Sequence, residues 1–144
     1  MSHALAIDFG GTKVEAALIS DDGIILEGSR LRAPTGSAAT SQDLQDAVQR
    51  VVQHALDAAP GEIRGVGIGS AGPINQKAGT VSPLNTPAWR EFPLVEFVRG
   101  IVGPDLSVEL RIDGLCILGG SAIRGVNVRR RHICRTRIHF DDHT

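Results

Sequence analysis

Six residues near the amino terminus, Asp8-Phe9-Gly10-Gly11-Thr12-Lys13, bring a carboxylate, two glycines, a hydroxyl and an ammonium into one tight turn. Successive backbone N–H groups in a glycine turn make a concave anion site. A carboxylate at a strand end suits Mg²⁺ held through water, which assigns that role to Asp8. The set reads as a cradle for phosphate groups with their counter-ion. The same letters also describe an ordinary Gly-Gly hairpin, and the hexapeptide alone leaves both readings open. The Asp-Phe-Gly inside it is not the protein-kinase signature, because no glycine-rich loop, V-A-I-K or H-R-D-x-x-x-x-N accompanies it.

Two further positions have the right chemistry. Asp113 closes the apolar run "LSVELRID", Leu106 to Asp113. Ligands of open α/β sheets bind at the carboxyl ends of strands, so a general base would sit well there. Capping the following helix is the commoner task for such an Asp, and Asp113 by itself reads that way. In "SPLNTPAWREFPL", Ser82 to Leu94, Asn85 lies between Pro83 and Pro87, which stiffen the loop. An amide on a fixed loop suits the recognition of hydroxyl groups. Trp89 in the same loop reads as an anchor packed on the core rather than as a stacking platform.

The stretch "GVGIGSAGP" contains a literal G-x-G-x-x-G at Gly67, Gly69 and Gly72. That pattern signals dinucleotide binding only when a helix opens on its last glycine and an acidic residue ends a second strand about 20 positions on. Here Pro73, Asn75, Gly79 and Pro83 follow, so no helix begins there. Glu91 lies at a suitable distance but has no strand before it. The context excludes a Rossmann site.

The elements that must position these residues are legible from periodicity. Ala4–Phe9 and Lys13–Ser20 form a hairpin, and Ile24–Ala33 reads as a third strand after the turn at Asp21–Gly23. A helix is expected over Ser41–Ala58, with Leu44, Ala47, Val48, Val51, Val52, Ala55 and Leu56 on one face. Thr40 or Ser41 is its N-cap, and Pro60 and Gly61 stop it. A buried strand over Ile63–Ala71 leads to a loop over Gly72–Arg90 and a short helix over Pro93–Val102. A strand over Leu106–Asp113 and a helix over Gly114–Gly125 follow.

Composition narrows the class. A chain of 144 residues fits one ordinary domain, and a net charge of −1 gives no bias towards nucleic acid or anionic membranes. One Trp, four Phe and no Tyr are too few aromatics for a base-stacking surface. Cys116 and Cys134 are far apart and form no C-x-x-C pair, so a disulfide scaffold is not expected. The opening residues form no signal peptide, and no apolar run approaches the length of a membrane span. The expectation is a soluble cytoplasmic protein with neither nucleic acid nor membrane as partner.

Taken in order, the motifs carry more than any does alone. D-x-G-G-T-K on a first hairpin is followed by G-I-G-x-x-G-P at a strand end, by P-x-N-x-P-x-W, and by a strand ending in Asp. This series, from about Leu5 to Gly125, resembles the ROK family of sugar kinases and repressors, within the actin-like ATPase superfamily. The resemblance implies an α/β fold: the N-terminal lobe of an actin-like (ribonuclease H-like) ATPase over residues 1–125, a mixed β-sheet with flanking helices. It implies that Asp8, Gly10, Gly11, Thr12 and Lys13 bind the phosphates of ATP with Mg²⁺. Gly72, Pro73 and Asn85 would contact the sugar. Asp113 would touch the sugar too and take the proton of its attacking hydroxyl. The function implied is an ATP-dependent hexose kinase.

The chain also departs from that family. Asn-Asp-Ala-Asn is usual around the catalytic Asp, whereas Ile112 to Leu115 read "IDGL", and Ser121 stands where a Glu commonly follows. A second phosphate loop, an E-x-G-H sugar motif and a cysteine-rich zinc motif have no counterpart here. A single lobe is therefore expected to bind ATP weakly and to turn over little or nothing. Residues 126–144 hold Arg129, Arg130, Arg131, Arg135 and Arg137, and His132, Cys134, His139 and His143 have an H-x-C-x₄-H-x₃-H spacing. Zinc binding and phosphate contact are two readings of this basic tail. An exposed or disordered tail is another. The abrupt change of composition where the resemblance ends points instead to out-of-frame translation. The alternatives to a kinase lobe are a non-catalytic fragment or an interaction module that self-associates through an uncovered apolar face. A sugar-responsive repressor would need a helix-turn-helix ahead of Asp8, for which there is no room.

Overall fold

The computed structural model describes residues 3–10, 12–20, 23–70, 73–83 and 86–112. Strands β1 (His3–Phe9) and β2 (Lys13–Ser20) form the expected hairpin, with Phe9 opposite Val14 and His3 opposite Ser20. Strand β3 (Leu31–Pro34) pairs antiparallel with β2, so Glu15 faces Arg32. Helix α1 (Ser41–Asp57) then crosses to β4 (Ile63–Ser70), which runs parallel to β1. A small hairpin, β5 (Ile74–Asn75) and β6 (Thr80–Val81), precedes helix α2 (Leu94–Val102). Strand β7 (Val108–Ile112) closes the main sheet parallel to β4, giving the five-strand order β3-β2-β1-β4-β7.

The third strand is shorter than its apolar letters suggest. Only Ile25 bridges to Ile19, and the chain then turns at Gly28, whose φ is +83°. Ser29 holds this detour: its Oγ accepts the Leu18 N–H at 3.0 Å and donates to the Leu26 carbonyl at 2.6 Å. A side chain thus supplies the partner that a continuous β-ladder would have given, and pairing resumes at Leu31.

Helix α1 starts at a capping box. Thr40 Oγ1 accepts the Asp43 N–H at 3.1 Å, and the Asp43 carboxylate accepts the Thr40 N–H at 2.9 Å. Its buried stripe of Leu44, Ala47, Val48, Val51, Val52 and Ala55 meets Leu5, Ile7, Phe9, Val14, Ala16 and Leu18 of the sheet. Leu94, Val95 and Val98 of α2 extend the same core. Expected core residue Leu56 is only partly buried, at the margin of the cluster.

The other sheet face combines small residues with charged ones. Ala6 lies between Ala17 and Gly67, and Asp8 between Glu15 and Gly69. Two glycines of the apparent dinucleotide fingerprint are therefore alternate residues within β4, and Pro73 and the β5–β6 hairpin follow. No helix begins at this strand end among the described residues, as the sequence context requires. None of the described helices is long and apolar enough to cross a membrane. The helix expected over Gly114–Gly125 and the tail 126–144 lie outside the described residues.

Candidate functional site

Three parallel strands end side by side. Phe9 of β1 pairs with Ser70 of β4, and Ser70 pairs with Ile112 of β7. Neighbouring strands lie about 4.8 Å apart, so one short sheet edge releases three segments. These are the Gly10–Lys13 turn, the Gly72–Pro73 segment and the residue after Ile112, which is Asp113. The three strands that precede these segments, far apart in the chain, thus end in one row. Gly11, Gly72, Asn85 and Asp113 themselves lie outside the described residues.

The first turn is tightly made. The Gly10 N–H donates to the Lys13 carbonyl at 2.9 Å, so an anion would meet the N–H groups that follow it in the turn. The Gly10 carbonyl accepts from Thr35 Oγ1 at 3.2 Å, and the Thr12 carbonyl accepts the Thr35 N–H at 2.9 Å. The chain just past β3 thereby braces the turn. Thr12 is exposed and Lys13 half-buried at the mouth of this hairpin.

One residue back, Arg32, Glu15, Asp8, Gly69 and Arg111 are successive register partners across the sheet, and Arg32, Glu15 and Asp8 bring charge to its β3-β2-β1 side. Glu15 is buried, with 1% of its side chain exposed. Its carboxylate meets Arg32 Nε at 2.7 Å, Arg30 Nη2 at 3.3 Å and Lys13 Nζ at 3.4 Å. A lone buried carboxylate would be costly, and three cations offset that cost. Like charges directly opposite in a sheet also repel; the cations around Glu15 let it stand beside Asp8. Sequence reasoning missed Glu15, Arg30 and Arg32. The available signal was the period-2 spacing of Lys13 with Glu15, which puts the pair on one strand face; Arg30 lies just ahead of β3.

The loop 82–91 is closed at its base by Val81 and Phe92, which exchange both backbone hydrogen bonds at 2.9 Å. Trp89, 1% exposed, anchors it in the core as the sequence suggests. Its indole stacks on Phe92 with centroids 3.8 Å apart and on Phe9 at 4.8 Å. Its Nε1–H donates to Ser41 Oγ at 3.2 Å. The loop that carries Asn85 is therefore fixed both to the end of β1 and to the start of α1. Exposed Pro73 joins in through its carbonyl, which accepts the Ser82 N–H at 2.9 Å.

Known proteins resemble this chain. Residues 4–113 match the ROK family. The glucokinase of Streptomyces coelicolor is 32% identical over 154 aligned positions, covering 92% of this chain and 47% of the relative. The N-acetylmannosamine kinase of Yersinia pseudotuberculosis is 28% identical over 114 positions, covering 79% of this chain and 37% of the relative. Among solved structures, the ROK glucokinase of Streptomyces griseus in complex with glucose and AMPPNP superposes with a TM-score of 0.65 at 31% identity. The match covers 79% of this chain and 34% of that one. The chain thus spans about half the length, or less, of the relatives it matches. Its mixed sheet with flanking helices is the actin-like lobe of those sugar kinases. On the match across residues 4–113, the chain belongs to the ROK family.

Proposed function

We propose that this chain is the N-terminal, phosphate- and sugar-facing lobe of an ATP-dependent hexose kinase. The observation that carries the reading is the common edge where β1, β4 and β7 end at Phe9, Ser70 and Ile112. On this proposal the segments that follow those strand ends, the Gly10–Lys13 turn, the Gly72–Pro73 segment and Asp113, act together in phosphoryl transfer to a sugar. That reaction needs positioning and charge neutralisation more than covalent help.

In this reading Asp113 accepts the proton of the attacking sugar hydroxyl. The hydroxyl oxygen bonds to the γ-phosphorus of ATP, the bond from that phosphorus to the bridging oxygen breaks, and ADP leaves with the bonding electrons. The N–H groups of Gly11, Thr12 and Lys13, with the Lys13 ammonium, hold the phosphates. Asn85 and the Gly72–Pro73 segment orient the sugar. No three His, Cys, Asp or Glu side chains gather into a metal site among the described residues. Asp8 with nucleotide oxygens is a donor set that Mg²⁺ accepts, and the ion would neutralise phosphate charge there. The sugar is a hexose or an N-acetylated hexosamine, the classes named for the glucokinase and N-acetylmannosamine kinase relatives.

The test is direct. The chain is titrated with MgATP and with glucose, mannose and N-acetylmannosamine by calorimetry, and ADP release is followed by a coupled assay. Weak binding of MgATP and of at least one sugar, with turnover near background, is expected of one lobe. Failure to bind any of these ligands overturns the reading, and rapid turnover by the 144-residue chain overturns its restriction to a lobe.

A further inference from the structure

The loop 82–91 is short of two backbone donors. Pro83 and Pro87 have no N–H, and the Glu91 N–H goes to Ser82 Oγ at 2.8 Å. Two turns lie inside the loop, with the Thr86 N–H donating to the Pro83 carbonyl at 3.3 Å and the Trp89 N–H to the Thr86 carbonyl at 3.0 Å. The carbonyls of Pro83, Thr86 and Trp89 consequently converge. One nitrogen meets all three: Arg90 Nη1 lies 3.1 Å from the Pro83 oxygen, 3.4 Å from the Thr86 oxygen and 2.7 Å from the Trp89 oxygen.

We infer that Arg90 is the positioning residue of the sugar loop: its guanidinium ties the Pro83 carbonyl, ahead of Asn85 in the chain, to the Thr86 and Trp89 carbonyls that follow it. The inference rests on the proposed function for what the loop contacts, but not for the clamp itself. Nη1 carries two hydrogens, which serve the Trp89 and Pro83 oxygens, and the more distant Thr86 oxygen shares one of them; such charge-assisted donation is stronger than the loop's own N–H bonds. It also compensates for the donors that the two prolines remove. Glu91, next along, is held at φ +52°, a conformation that non-glycine residues adopt only when their surroundings impose it. The Trp89 anchor fixes where the loop sits, while Arg90 fixes its internal shape. Arg90 acts through the loop backbone and not on the substrate.

The test compares the wild-type chain with Arg90→Met, which keeps the length of the stem and removes every donor. Amide exchange at Thr86 and Trp89 is expected to quicken by about tenfold or more, with α1 and β1 unchanged. Sugar affinity, by calorimetry, is expected to fall about tenfold while MgATP affinity stays within about twofold. A purely structural loss would weaken both ligands together. Unchanged exchange in the loop overturns the clamp, and quickened exchange with unchanged sugar affinity overturns its positioning role. If the wild-type chain binds no sugar while Arg90→Met still frees the loop, the clamp stands and the kinase reading falls. Should Arg90→Met not fold, Arg90→Lys carries the test, since its ammonium places three donors on one nitrogen. A protected loop is expected there, and an unprotected loop in a folded Arg90→Lys chain overturns the assignment.

Discussion

Asp8 and Glu15 stand directly opposite each other on the antiparallel strands β1 and β2, two carboxylates on one sheet face. The pair is tolerable because Arg30, Arg32 and Lys13 all meet Glu15, which is 1% exposed. Removing the carboxylate leaves those cations without their shared partner, and breaking a buried ionic group in this way costs about 3 kcal/mol. Glu15→Ala is therefore expected to lower the stability of the chain by about that amount in urea denaturation. Arg32→Ala, at a side chain 39% exposed, should cost much less, because water and the remaining cations compensate.

Thr86 presents the opposite case. It is fully buried, and its Oγ1 has no hydrogen-bond partner among the described residues. A buried hydroxyl without a partner loses its hydration for nothing. Thr86→Val keeps the branched shape and removes the oxygen, so the chain should gain about 1 kcal/mol. Equilibrium denaturation checks this, and a loss of stability would mean that the hydroxyl does find a partner.

The sequence made the site legible as an order of motifs, because three of them follow strands whose apolar runs are readable, those ending at Phe9, Ser70 and Ile112. It did not show that the strands leading to them end together. That follows from register, with Phe9, Ser70 and Ile112 in one row, and register depends on contacts made far apart in the chain. Helix α1 was readable in full, and both Thr40 and Ser41 were reasonable N-caps. The reciprocal bonds between Thr40 and Asp43 decide for Thr40. The start of β3 was misread because Ile24, Ile25 and Leu26 look like a strand, whereas the Ser29 side chain and the positive φ of Gly28 impose a detour. The ion cluster was missed because a glutamate in a strand ordinarily reads as solvent-facing. The β5–β6 hairpin was missed because two-residue strands have no periodicity to read.

Gly79 closes that hairpin with φ +71°, and a Cβ added there would lie 2.9 Å from the Val95 Cβ in α2. Gly79→Ala should therefore cost about 2–3 kcal/mol, part from backbone strain and part from overlap. The two parts separate in a double-mutant cycle with Val95→Ala. That background should not relieve the overlap at Cβ fully, but it removes the γ-carbons, one of them 3.1 Å from the added atom. A coupling of about 1 kcal/mol in favour of the double variant is expected. Strict additivity would place the whole cost in the backbone.

Gly10 tests whether the first hairpin serves a ligand or only the fold. Its φ is not positive, so alanine is allowed there by its backbone, but the new Cβ would come 3.1 Å from the Lys13 carbonyl oxygen. The turn must open by a few tenths of an ångström, which stretches the 2.9 Å bond from the Gly10 N–H to that oxygen. The strands on either side are long and paired throughout, so the stability cost of Gly10→Ala should be only about 1 kcal/mol. A phosphate group, by contrast, must match several N–H directions at once, and small displacements weaken every bond together. Calorimetry with MgATP should show affinity reduced about tenfold, with sugar binding unchanged. Equal losses in stability and in both ligands would identify the turn as a structural hairpin. A selective loss of MgATP would mark it as the phosphate site.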